Sequence, residues 1–283
     1  MGTGDAERYR QGARDQWSRS AAGWARRREA VQRAALPVSE WLIDAIAPQP
    51  GQTVLELAAG PGDTGLLAAE LIEPGGRLIS SDFAEEMLEA ARGRARELGV
   101  DNVDFRVLEM EWLDLEAASV DAVLCRWGFM LTADPGAALR EARRVLRPGG
   151  RVALAAWDAP EANPWATLPT AELVERGLPD PRDPSRPGMF SFSPPGRLQE
   201  LLDAAGFVEA AVDAVAFEQR YPSSEAYWTV TLDLSRPFAD AMEELPDPER
   251  ASVREGIGRR LEPFERDGEY VLPARTLVAT ASA

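Results

Sequence analysis

The chain contains no histidine and no lysine: all 31 of its basic residues are arginine. These absences remove the imidazole general base, lysine Schiff-base chemistry, histidine metal ligands and any Ser-His triad. A general base must then be a carboxylate, a tyrosine, Cys125 or bound water. Cys125 is the single cysteine, which excludes an internal disulfide. No apolar run approaches the ~20 residues of a membrane span, and Met1–Arg10 carries no apolar signal core. A cytoplasmic protein is expected. The formal net charge of −16 repels phosphate backbones and argues against a nucleic-acid partner. The one tight basic run, Arg26-Arg27-Arg28, reads as a solvated helix face.

What is present is a chain of 283 residues, 45% hydrophobic and 28% charged. That suits one large domain, or one domain with a substantial cap. Thr53–Leu57 reads as a buried strand carrying one carboxylate, Glu56, which needs a polar partner in a core. Ala58-Ala59-Gly60-Pro61-Gly62-Asp63-Thr64-Gly65 follows as a glycine-rich turn, and residues 66–71 read as a helix. Glycines let the backbone approach a ligand, and a helix N-terminus offers free N–H donors. Twenty residues past Gly62, at the end of the strand 77–81, stands Asp82, where an acid commonly accepts from ribose hydroxyls. It could equally cap the helix expected over 84–98.

Further strands are expected over 102–108, 120–127 and 152–157, the last after a Leu146-Arg147-Pro148-Gly149-Gly150 turn. Asp134-Pro135 marks a helix start between the last two. Cys125 sits in an apolar run and reads as core. Residues 5–47 read as helical with an apolar stripe through Tyr9, Trp17 and Trp24, and Pro37 is expected to begin a second helix. Beyond Trp157 the chain is rich in proline (Pro164, Pro179, Pro181, Pro184, Pro187, Pro194, Pro195), with a helix expected over 165–175. Ser193-Pro194 is expected to start another. A strand over 207–217, mixed helix and loop over 221–234, a helix from Asp247 and a final strand over 268–280 complete the reading.

Glu56-x-x-x-Gly60-x-Gly62, then Asp82, then Glu109-Met110-Glu111-Trp112, then Leu146–Gly150 form an ordered series. It resembles class I S-adenosylmethionine (SAM)-dependent methyltransferases, within them the ubiquinone/menaquinone-biosynthesis group of small-molecule enzymes. The resemblance implies an α/β, Rossmann-like seven-stranded sheet, mostly parallel with its last strand antiparallel between the fifth and sixth. Helices cover both faces and a helical cap covers the C-terminal strand edge. It divides the chain into a lid (1–47), a SAM-binding core (48–157), a cap insertion with a helix (158–205) and the C-terminal part of the sheet with a helical insertion (206–283).

The resemblance further implies SAM as cofactor, held by Trp24, Glu56, Ala58, Gly60, Gly62, Asp82, Phe83, Met87, Glu109, Met110, Glu111 and Arg126. The acid after the third strand would meet the adenine amino group; Glu109 stands there instead of the usual Asp. Arg126 would pair with the methionine carboxylate, or else form an internal ion pair. Trp17, Trp127, Trp157, Met189 and Phe190 are the candidate acceptor-binding residues. No metal is implied, and no catalytic group is assigned. The acceptor expected is a small, rather apolar molecule methylated at oxygen or carbon, and a homodimer is compatible with these features. Two alternatives remain open at this point. Gly60-x-Gly62-x-x-Gly65 with Asp82 also matches an NAD(P)-dependent oxidoreductase, although no lysine or histidine exists to protonate a carbonyl. A non-catalytic SAM-binding protein would keep the same fold.

Overall fold

The computed structural model describes residues 3–178 and 187–283; Pro179, Pro181 and Pro184 lie outside them. Five strands run parallel: β1 (Thr53–Leu57), β2 (Arg77–Asp82), β3 (Val103–Val107), β4 (Val120–Arg126) and β5 (Leu146–Trp157). Two 14-residue strands, β6 (Val208–Tyr221) and β8 (Glu269–Ser282), extend the sheet in the order β3-β2-β1-β4-β5-β8-β6. β8 is antiparallel to both of its neighbours, as the resemblance implied. The eighth strand, β7 (Glu265–Arg266), was not expected. It exists because Asp267 and Gly268 both take positive φ, 52° and 84°, the requirement of the tight turn that matches strand twist.

Alternation along the strands sorts residues onto two buried faces. Val54, Ala122, Leu124, Ala153 and Ala155 pack beneath α2 (Asp63–Leu71), α3 (Glu85–Leu98) and the C-terminal part of α1 (Thr3–Ile46). Leu55, Leu57, Val123, Cys125, Val152 and Leu154 face α4 (Pro135–Val145) and α6 (Arg197–Ala204). Cys125 is fully buried, as expected of a core residue. A third apolar cluster joins α5 (Pro164–Glu175), α7 (Ser224–Leu234), α8 (Arg236–Glu244) and α9 (Asp247–Leu261) through Leu173, Tyr227, Phe238, Val253 and Ile257. These four helices form a cap beyond the C-terminal ends of β4 and β5.

Several elements differ from expectation. α1 does not restart at Pro37; it runs through it for 44 residues, ~66 Å at 1.5 Å per residue. Pro37 forfeits one backbone hydrogen bond, but Val38, Leu42, Ile43 and Ile46 bury on the sheet and carry the helix across. β5 starts six residues before Val152. Leu146 pairs with Val120 and Arg151 with Ala122, so the Arg147–Gly150 turn is a bulge within the strand. α6 begins after Gly196 (φ 80°), not at Ser193-Pro194. α8, an amphipathic helix entered through Ser235 and Pro237, was not anticipated.

Candidate functional site: a cleft at the strand ends

The glycine turn after β1 is held by two buried carboxylates. Glu56, inside β1, accepts the Gly65 N–H at 2.6 Å and the Ser80 hydroxyl at 3.1 Å. Burial pushes its carboxyl up to about 7, against the pull of those two donors. Asp82, the last residue of β2, accepts the Gly60 N–H at 2.9 Å and the Ala84 N–H at 3.0 Å. It therefore braces the first strand–helix turn against the second, and burial pushes it up to about 6. Ala58 and Gly60 sit at φ 52° and 54°, which bends the turn over the strand ends. Gly62, at φ 89°, is the N-cap of α2. A Cβ there would stand 2.9 Å from the Ala91 Cβ, so its role is helix packing.

The segment after β3 is engaged by α1. Arg14 of α1 pairs with Glu109. Arg10 pairs with Glu111, whose other oxygen accepts the Ala133 and Asp134 N–H groups at 2.9 and 3.1 Å. Glu111 thus joins α1 to the residues that precede α4 while also lining the cavity described below. α1 also binds α3 through Ser18–Glu86 and Arg28–Glu97, and the cap through Arg26 and Arg27 to Asp233. The Arg26–Arg28 run expected as a solvated face is therefore ion-paired to both the core and the cap. Trp17 and Trp24, ring centres 5.8 Å apart, lie over Ala84 and Met87 at the start of α3.

Arg126 ends β4 with its side chain 9% exposed. Its guanidinium is 3.9 Å from Asp63, the first residue of α2. Among the described residues, Arg126 Nη1 and both Asp63 oxygens have no hydrogen-bond partner. The internal ion pair expected as one option is present, but long and incompletely satisfied. Burial lowers the Arg126 pKa and raises that of Asp63, each partly offset by the other's charge.

Beyond Arg126 the wall becomes aromatic. Trp127 stacks on Trp157 at 4.2 Å, Trp157 meets Trp165 at 4.9 Å, and Phe217 lies 6.0 Å from Trp157. Trp165 donates its indole N–H to Asn163, and the fully buried Asn163 holds the Arg275 backbone from both sides.

One cavity of about 1720 Å³ lies between α1, the ends of β1, β2 and β4, and the cap. A single small-molecule site typically spans about 300–1,000 Å³, so there is room for two ligands side by side. Every sequence candidate lines it except Gly62: Trp24, Glu56, Ala58, Gly60, Asp82, Phe83, Met87, Glu109, Met110, Glu111 and Arg126 among the cofactor candidates, and Trp17, Trp127, Trp157, Met189 and Phe190 among the acceptor candidates. Sequence reasoning missed Gly128, where a Cβ would stand 2.6 Å from the Ala58 Cβ and 2.7 Å from Cys125 Sγ. It also missed Trp165 and Phe217 as wall residues. Gly-Phe after an apolar strand was the available signal for Gly128; nothing local marks the other two.

Comparison with known proteins adds the family. Residues 48–177 match a family model described as a methyltransferase domain. Nocamycin O-methyltransferase from Saccharothrix syringae is 33% identical over 204 residues, covering 68% of this chain and 73% of that enzyme. The chain belongs to the class I SAM-dependent methyltransferases. The named relatives are methyltransferases and give no support to the nicotinamide and non-catalytic alternatives. The UbiE ubiquinone/menaquinone C-methyltransferase of Acidiphilium cryptum is 41% identical over 105 residues, 37% of this chain and 41% of that one; the shared part is less than half of that enzyme. The YcgJ protein of Bacillus subtilis superposes with a TM-score of 0.56 at 21% identity, covering 86% of this chain and 97% of that one, which shows the fold. For this methyltransferase the residues present fit the cofactor: a carboxylate at the second strand end, a buried guanidinium whose Nη1 has no partner among the described residues, and indoles over the opening of α3.

Proposed function

We propose that this methyltransferase carries a methyl group from SAM to an oxygen or carbon of a small, rather apolar acceptor. The observation that carries the reading is the mixed lining of one cavity. Asp82, Glu109 and Arg126 share it with Trp127, Trp157, Trp165, Met189, Phe190 and Phe217, and the Arg126 guanidinium lies over the Trp127 ring at 4.8 Å. In this reading Asp82 accepts from the ribose hydroxyls, Glu109 and Met110 meet the adenine, Trp24 covers it and Arg126 pairs with the methionine carboxylate. SAM supplies the chemistry as a sulfonium-activated methyl. The chain's own residues bind, orient and exclude water, so that the acceptor lone pair faces the methyl in line. No side chain is assigned as a base. The relatives named as an O-methyltransferase and a C-methyltransferase support oxygen or carbon as the receiving atom.

Residues 1–47 serve as lid, 48–157 as cofactor core, 158–205 as cap insertion and 206–283 as completion of sheet and cap. No helix among the described residues is long and apolar enough to cross a membrane, and a lone buried cysteine suits the reducing cytoplasm. The charge of −16 argues for a small acceptor over nucleic acid. Calorimetric titration tests the cofactor half: S-adenosylhomocysteine should bind and NAD should not. Methyl transfer from labelled SAM to a panel of small phenols and enols, with tRNA and basic protein alongside, tests the acceptor half. Transfer confined to the macromolecules would refute it.

A further inference from the structure

Trp127 has a backbone that a tryptophan rarely adopts, φ 63°. Such strain in a bulky residue persists only where its surroundings impose it, and it commonly marks a functional site. The imposing contacts can be named. The Trp127 N–H donates to the Ala155 carbonyl at 2.9 Å, which anchors the backbone across β4–β5. Its indole Nε1–H donates to Thr276 Oγ1 at 2.9 Å. Thr276, on β8 opposite Trp157, is fully buried and donates its own hydroxyl proton to the Ala156 carbonyl at 2.7 Å. The indole so fixed stacks on Trp157 at 4.2 Å, and the Arg126 guanidinium lies over it at 4.8 Å.

Among the described residues Arg126 has no firm polar anchor of its own. Its one ion pair is 3.9 Å long and its Nη1 is unpartnered among the described residues. The face of Trp127 is therefore a second support for its guanidinium beside that long ion pair, and an indole face attracts a guanidinium by more than contact alone.

We infer that Thr276 is a positioning residue: by clamping the Trp127 indole it holds Arg126 ready for the carboxylate at the amino-acid end of the adenosyl ligand. This rests on the role proposed for Arg126 above. Thr276 reaches no ligand itself; it works through one hydrogen bond and one cation–π contact. Val at 276 keeps the shape but removes both the acceptor for the indole and the donor to Ala156. Ser keeps both.

The test is calorimetric binding of two ligands to the intact enzyme: S-adenosylhomocysteine, which carries the amino-acid end, and 5′-methylthioadenosine, which lacks it. Thr276→Val should weaken S-adenosylhomocysteine about five- to tenfold, the worth of one buried hydrogen bond, and leave 5′-methylthioadenosine unchanged. Thr276→Ser should restore wild-type affinity. The near-ultraviolet circular dichroism of the Trp127–Trp157 stack should change in the Val variant and recover in the Ser variant. Unchanged affinity for both ligands, or an equal loss for both, would overturn the inference. Should the Val variant not fold, Trp127→Phe, which keeps a ring but no N–H, must show the same selective loss; equal affinity to wild type would overturn it. Wild-type enzyme that binds neither ligand would sink the cofactor reading as well, an outcome distinct from a failure at Thr276 alone.

Discussion

The Glu56 carboxylate occupies the space that a side chain at position 65 would fill. Its Oε1 accepts the Gly65 N–H at 2.6 Å, and a Cβ built on Gly65 would lie 2.2 Å from its Oε2. The glycine of the turn is thus a requirement of a buried acid that must be reached by the α2 N-terminus. Glu56 is 3% exposed, and among the described residues its carboxylate otherwise holds only the Ser80 hydroxyl.

Gly65→Ala should therefore destabilise the fold by about 2–4 kcal/mol. The added methyl displaces a carboxylate that has nowhere polar to go. Urea unfolding followed by tryptophan fluorescence measures it. A loss below about 0.5 kcal/mol, the usual scale of a neutral substitution, would mean that Glu56 has another place to turn.

The same carboxylate makes stability depend on pH in a defined direction. Burial raises Glu56 from 4.5 to about 7 and Asp82 from 3.8 to about 6. Both folded-state values exceed the unfolded ones, so the folded protein binds more protons. Their stabilising contribution is fully present below the unfolded values and is lost as pH rises through about 6 and then about 7. Unfolding wild type and Glu56→Gln across that range isolates the Glu56 part. The variant should gain on wild type as pH rises, by up to about 1.4 kcal/mol per pH unit, and the gain should level off above about pH 7. Parallel curves would show that Glu56 titrates normally. A cationic ligand nearby favours the ionised acids, so SAM binding near neutrality should release protons, read as buffer-dependent heat in calorimetry.

Glu111 predicts the behaviour of the lid. Its carboxylate joins Arg10 of α1 to the Ala133 and Asp134 N–H groups, and hydrogen bonding to it raises the Arg10 pKa. Glu111→Ala should cost about 2–3 kcal/mol by orphaning those donors. It should expose the first half of α1 to protease and weaken S-adenosylhomocysteine a few-fold, because Trp17 and Trp24 ride on that helix. Glu111→Gln, which keeps one acceptor oxygen, should cost less than half as much. Protease resistance equal to wild type in the Ala variant would show that α1 is held without this clasp.

What could be read from the chain itself was local. Thr53–Leu57, Val120–Arg126 and Val152–Trp157 are short apolar runs bounded by turn residues, and their order along the sequence carried the sheet. Asp82 was legible because its distance from the glycine turn is set by one helix and one strand. What stayed hidden depends on contacts between distant segments. No pattern near Arg14 or Arg10 says that they meet Glu109 and Glu111, 95 and 101 residues on. Thr276 and Asn163 look like ordinary strand and turn residues, yet they fix Trp127 and Trp165. Pro37 suggested a break because propensity counts the lost hydrogen bond. The burial of Val38, Leu42 and Ile46 on the sheet, which outweighs it, appears only in the folded chain.

The two motif glycines should fail in different ways. Gly60 has open space around its Cβ position but a φ of 54°, and its N–H is the group that ties the turn to Asp82. Alanine there must take a left-handed backbone, which costs about 1 kcal/mol, and its methyl points into the cavity proposed above for the adenosyl ligand. Gly62 lines no part of the cavity and faces the Ala91 backbone at 3.3 Å and its Cβ at 2.9 Å. Alanine there must also push α2 away from α3. Gly62→Ala should therefore lose more stability, about 2–4 kcal/mol from overpacking added to backbone strain, while the folded fraction keeps S-adenosylhomocysteine affinity within about threefold. Gly60→Ala should stay within about 1 kcal/mol of wild type in stability and lose affinity at least tenfold. Measuring urea unfolding and calorimetric affinity on both variants puts the two glycines on opposite axes. If affinity fell with Gly62 and held with Gly60, the ligand would approach the turn from the α3 side, and the adenosyl end of the cavity would have to be reassigned.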